Sequence, residues 1–145
     1  MSDATDHQHV ASNGRAELSL DQLAELHGGL AKFMLEISDR ATRAHQAGVA
    51  KNRRVCLHQI GELTKTLRLS VLVRPQYQEA MDKFISEDLA KVRAVVDAEE
   101  WEKFPEAWED LTLSVNANHE EFDHGYLVWK VPTDASSDLD LTPRG

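Results

Sequence analysis

Large apolar residues return at intervals of three or four along four stretches of the chain, which is the period of an amphipathic helix. The first stretch carries Leu23, Leu26, Leu30, Phe33, Ile37, Ala41 and Ala44 as one stripe, with His27, Met34, Ser38 and His45 along its flank. A capping box, Ser19 with Gln22, predicts its start, and Gly48 predicts its end. The second stretch, about Asn52 to Leu72 before Pro75, places Cys56, Ile60, Leu63, Leu67 and Val71 on its main face. Val55, Leu69 and Val73 form a second strip beside His58 and Glu62, the mark of a crowded bundle or a subunit interface. The third, about Gln76 to Asp97, carries Tyr77, Met81, Phe84, Ile85, Leu89, Val92 and Val96, with Ser86 as a point for a kink or a fresh start. The fourth runs from about Glu100 to His124, tolerates Pro105 in its first turn and stops at Gly125; its seam is Phe104, Trp108, Leu111, Val115, Asn118 and Phe122.

Four such helices with short connections predict an all-α, up-down-up-down four-helix bundle. Tyr126–Pro132 is the one alternating stretch; alone, it has no strand to pair with, and it reads as an extended strap along the bundle. Residues 1–18 and 133–145 are small, polar and acidic, so burial cannot offset the entropy of ordering them, and both tails are expected to be disordered. The predicted bundle domain is 19–132.

A chain of 145 residues can bury a core without disulfides or a structural metal. Its 16 basic and 25 acidic residues give a formal charge of -9, which opposes binding to phosphate backbones and to anionic lipid heads. No basic-then-apolar leader and no long apolar run is legible, and the single cysteine, Cys56, suits a reducing compartment; the expectation is a cytoplasmic protein. Phosphate-binding and dinucleotide-binding glycine motifs are absent, as is the paired Glu-x-x-His pattern of carboxylate-bridged di-iron bundles.

Val115-Asn116-Ala117-Asn118-His119 has the form of a haem-attachment pentapeptide, Cys-x-x-Cys-His, without its cysteines. Covalent haem is therefore excluded, while non-covalent haem or another metal at His119 stays chemically open. Leu30–Asn52, Glu62-Leu63, the pair Phe104 and Trp108 before Leu111-Thr112, and Asn116-Ala117-x-His119 with Gly125 and Pro132 resemble small helical bacterial proteins related to cytochrome c-prime bundles. The resemblance implies that His119 stands at the haem histidine, with Asn116 and Ala117 inside the motif, Arg40 on the first helix and Glu62 on the second as its ion-pair partner. Val115 and Asn118 replace the two cysteines, Ala41 stands where the family has a histidine, and His45 and His58 stand where it has aromatics. A repurposed pocket is the inference that follows.

The expected pocket has Phe33, Met34, Trp108, Phe122 and Tyr126 as walls and Arg40, Asn118 and His119 as polar contacts. Three readings of it stand side by side. In the first the chain binds a small apolar or aromatic molecule. In the second it is a small enzyme, with His119 as general acid/base and Arg40 or Asn118 as electrophilic group. In the third it is a regulatory or assembly partner that dimerises through the Val55, Leu69 and Val73 strip. Each residue also has an ordinary structural role: a histidine hydrogen-bonded at the edge of a core, an amide that fixes helix register, a methionine that fills space. Met34 opposite His119 additionally matches the way b-type four-helix cytochromes hold haem.

Overall fold

The computed structural model describes residues 10–12, 14–26, 29–133 and 137–144. They are predominantly helical, with a two-stranded antiparallel hairpin at the start, β1 (Val10–Ser12) and β2 (Glu17–Ser19), in which Ala11 faces Leu18. Helices follow in the order α1 (Leu20–Leu26), α2 (Gly29–Val49), α3 (Arg53–Val73), α4 (Gln78–Lys83), a π-helical turn at Phe84–Leu89, α5 (Ala90–Asp97) and α6 (Phe104–Glu121).

The capping box forms as expected: the Ser19 N–H donates to Gln22 Oε1 (3.0 Å) and the Gln22 N–H to Ser19 Oγ (3.1 Å). The helix it starts does not run on to Gly48. Gly29 adopts φ +69°, a turn that breaks the helix and with it the phase of the apolar stripe. Leu23 and Leu26 are consequently 41% and 61% exposed on α1, which packs against the hairpin, and the buried stripe starts at Ile37. His27 lies outside the described residues.

Three helices end on a left-handed residue that is not glycine. At Lys51 (φ 58°) the N–H of Lys51 bonds Gly48 O and that of Asn52 bonds Ala47 O; Glu99 and Asp123 repeat the pattern. The stops assigned to Gly48 and Gly125 are therefore corrected to Lys51 and Asp123. Gly48 has another reason to be small, since a Cβ there would lie 2.1 Å from Phe104 Cζ. Ala41, Ala44 and Ala47 are small buried residues of α2, and the buried Cys56 thiol of α3 donates to Ala44 O at 3.3 Å.

α3 begins where the sequence predicts, with Asn52 Oδ1 accepting from the Val55 N–H at 3.1 Å. The third helix is not uniform: its middle widens into the π turn that contains Ser86. Residues five apart diverge on an α-helix, and the wider turn brings both Phe84 and Leu89 into the core. α3 packs on α2, α4 and α5, and α6 closes the core against α5, the π turn and α2. In the second strip Val55 packs against this core, leaving Leu69 and Leu72 as the outward apolar residues of α3.

Beyond α6 the chain is extended without strand pairing, as the strap reading expects, and Asn116 fixes it. Asn116 Nδ2 donates to Trp129 O (3.0 Å) and Oδ1 accepts from the Trp129 N–H (2.7 Å), so one side chain does the work of a paired strand. Where the sequence leads one to expect disordered tails, the described residues include the hairpin and a docked C-terminal segment. Arg43 holds Asp138 through two nitrogens (2.6 and 3.2 Å), and the buried Asn52 amide donates to Leu141 O at 3.2 Å. Among the described residues no helix is long and apolar enough to cross a membrane.

Candidate functional site

A cavity of about 130 Å³ lies among α2, α3, α4, the π turn, α6 and the strap. Its floor is built from buried side chains, Ile37 and Ala41 of α2, Leu63 and Leu67 of α3, Phe84 of the π turn, and Trp108 and Leu111 of α6. Its rim is half-buried and consists of Met34, Tyr77, Met81, Asn118, His119, Phe122 and Trp129. Tyr77 meets Phe122 edge-on with ring centroids 4.8 Å apart, closing one side of the rim. Among the described residues no Lys, Arg, Asp or Glu is in the wall, so a charged ligand would leave water without a counter-ion from them.

The polar groups in this wall are few and unequally committed. Thr112 Oγ1 spends its proton on Trp108 O at 2.9 Å, the usual return bond of a helical threonine. His119 Nδ1 lies 2.7 Å from Leu127 O; a carbonyl only accepts, so Nδ1 carries the proton, and in the neutral ring Nε2 is left as an acceptor. The same bond fastens the strap to α6, and Trp129, edge-on to His119 at 6.4 Å, becomes part of the rim. Among the described residues the Asn118 amide has no hydrogen-bond partner.

Of the residues expected to form the site, Met34, Trp108, Asn118, His119 and Phe122 meet in this one cavity. Phe33, Tyr126 and Arg40 do not. Phe33 is half-buried and packs on the outside of the core, and Tyr126 is 76% exposed, with its hydroxyl 3.3 Å from His124 Nδ1. Trp129 takes the place assigned to Tyr126, because Asn116 clamps the strap in the register that brings residue 129 to the rim. Arg40 faces α3, where Nη1 donates to the buried Gln59 Oε1 at 3.1 Å and Nε, shielded from solvent, lies 3.8 Å from Glu36. Glu62 bonds Lys65 at 3.1 Å, and that bond first, with a smaller pull from Arg40, holds its carboxyl below the ordinary range. The direct Arg40–Glu62 pair implied by the resemblance is replaced by these two.

Tyr77, Met81 and Phe84 are wall residues that the sequence reading placed only on a helix face. Their signal is present as the apolar spacing of the third helix, but the π turn decides where that face points. Val115, at a position occupied by cysteine in haem-attachment motifs, lines the cavity too. Cys56 is remote from it in the core, and burial pushes its thiol up to about 12. His45 is also a core residue: it lies 5.2 Å from the Trp108 ring and 5.9 Å from Phe104, and desolvation lowers its pKa. An imidazole there fills the space of an aromatic ring.

Two cofactor questions can be put to this wall. His119, with Nδ1 held by a backbone carbonyl, has the arrangement that orients a metal-ligating imidazole. Among the described residues, however, no group of three or more His, Cys, Asp or Glu could hold a metal ion. A porphyrin is several rings across, wider than the space of about 130 Å³ between the floor and the rim, which is close to engineered apolar cavities that take a single benzene, so it would have to extend through the open rim. No family model, curated protein or solved structure matches the chain.

Proposed function

We propose that this chain is a small-molecule-binding helical protein whose α2, α3, α4–α5 segment and α6 form an up-down-up-down bundle around the ligand. The observation that carries the reading is the cavity itself: a closely packed apolar floor opening to a rim that includes Asn118 and His119, whose amide and Nε2 have no hydrogen-bond partner among the described residues. The cavity leaves its apolar floor uncovered, and covering apolar surface is favourable by about 25 cal/mol per Å². A ligand that fills the cavity covers that floor.

The likeness to haem-binding bundles supports the reading in one respect: His119 and Val115, two positions of the degenerate motif, are wall residues of the cavity. Catalysis has less support: Arg40, one of the two candidate electrophiles, is engaged by Gln59 of α3 outside the wall, and although Asn118, the other, is a wall residue next to His119, no carboxylate among the described residues stands in the wall to assist that histidine. The test is a titration of the native chain with toluene, followed by tryptophan fluorescence, since Trp108 and Trp129 both line the cavity. Saturable change with one site per chain is expected. A linear response up to the solubility limit of toluene overturns the proposal.

A further inference from the structure

The chemistry of the rim narrows the ligand further, and the inference rests on the cavity being a binding site. Among the described residues the wall holds no charged side chain, so a carboxylate, phosphate or ammonium ligand would be buried without a counter-ion from them. The volume, about 130 Å³, admits one ring or an aliphatic group of the same size. That leaves a compact neutral molecule, and the hydrogen-bonding state of the rim sets its polar end.

At His119 the proton is already placed. Leu127 O takes the Nδ1 proton at 2.7 Å, leaving Nε2 as an acceptor that a purely hydrocarbon ligand would cover without a partner. Asn118, the neighbouring wall residue, brings an amide that both donates and accepts, and no described residue engages it. Thr112 has already spent its proton on Trp108 O. A hydroxyl is the smallest group that can serve an acceptor and a donor on adjacent wall residues, giving its proton to His119 Nε2 and taking one from Asn118 Nδ2 when it is bound between them.

We infer that the cavity is built for a small neutral hydroxyl compound, of which phenol is the representative, with its ring or alkyl body on the Leu63, Leu67, Phe84 and Leu111 floor. Toluene and phenol have nearly the same shape, and they differ at one group. Water holds the phenol hydroxyl better than the toluene methyl, so a cavity that offers only apolar contact prefers toluene; one that supplies both hydrogen bonds prefers phenol. The expected preference is about tenfold in Kd for phenol, the worth of roughly one net hydrogen bond.

The experiment compares toluene, phenol and benzoate on the native chain by calorimetry, and repeats the first two on Asn118→Leu. Phenol binding tighter than toluene, with no benzoate binding, is the expected result. In Asn118→Leu the phenol preference falls while toluene still binds, which also shows that the variant is folded. A ¹⁵N spectrum of the His119 ring adds a readout free of substitution, with Nε2 shifting on phenol and staying put on toluene. If toluene binds and phenol binds more weakly, the hydroxyl inference is overturned and the cavity reading stands. If neither binds, both fall. An unchanged phenol preference in Asn118→Leu removes Asn118 from the site and overturns the two-bond arrangement.

Discussion

Replacing Ala41 with leucine should stabilise the protein and close its cavity at once. Ala41 is 4% exposed and part of the cavity floor, so the added carbons enter empty volume rather than packed core. Three buried carbons at about 0.8 kcal/mol each give ~2.4 kcal/mol. Holding the leucine in one rotamer returns about 0.5 to 1 kcal/mol, leaving a net gain of roughly 1.5 kcal/mol. For a chain of 145 residues the gain corresponds to about 5 °C in Tm. Urea unfolding followed by circular dichroism gives the stability, and the toluene titration gives the binding, which should be lost. A variant destabilised by about 1 to 3 kcal/mol that still binds toluene would refute the reasoning, because that is the signature of overpacking a filled site.

Other consequences are as direct. Cys56 is fully buried with its thiol pushed up to about 12, so it should resist thiol reagents in the native protein and react stoichiometrically after denaturation; fast native labelling would contradict its placement. Burial holds the His45 pKa below its ordinary 6.5, so below about pH 6.5 the unfolded chain binds a proton that the folded chain refuses. Stability should fall as pH drops from there through the folded value, and His45→Phe should flatten that slope in urea midpoints measured between about pH 7 and pH 5. Gly48→Ala gains about 1 kcal/mol in helix propensity but drives a Cβ into the buried Phe104 ring, so a net loss of about 1 kcal/mol is expected, relieved in a Phe104→Leu background; equal effects in both backgrounds would show that the contact is not the cause.

The helical content of this fold was legible because it rests on local signals. The capping box at Ser19 and Gln22, the start of the second helix near Asn52 and the apolar face Cys56, Ile60, Leu63 and Leu67 are all legible from residue type and spacing. The breaks were less legible. Gly29 turns the chain through a positive φ, yet glycine at that position also reads as a tolerated helix residue, so a single stripe was drawn through Leu23 and Leu26. Lys51 and Asp123 show the converse: the left-handed cap reads from sequence as the nearest glycine, Gly48 or Gly125, while the Ala47 and Gly48 carbonyls are satisfied by the ordinary residues Asn52 and Lys51.

Within the candidate site, Met34, Trp108, Asn118, His119 and Phe122 were found because they lie on helices whose faces the apolar period fixes. Tyr126 was misplaced because the strap has no period of its own; its register comes from Asn116, a long-range clamp on Trp129 that spacing does not encode. Arg40 is expected in the pocket on the strength of a resemblance, and its Nη1 is taken up on α3 by Gln59, a buried polar residue that projects from the same face as Ile60 and Leu63.

The central claim is that a ligand sits inside the cavity, and intermolecular nuclear Overhauser effects from bound toluene test it most directly. The account predicts contacts from toluene protons to the Ala41, Leu63 and Leu111 methyl groups and to the Trp108 ring, all of them cavity residues. Contacts confined to outward residues such as Leu35 and Leu72, which are 75% and 72% exposed, would contradict it.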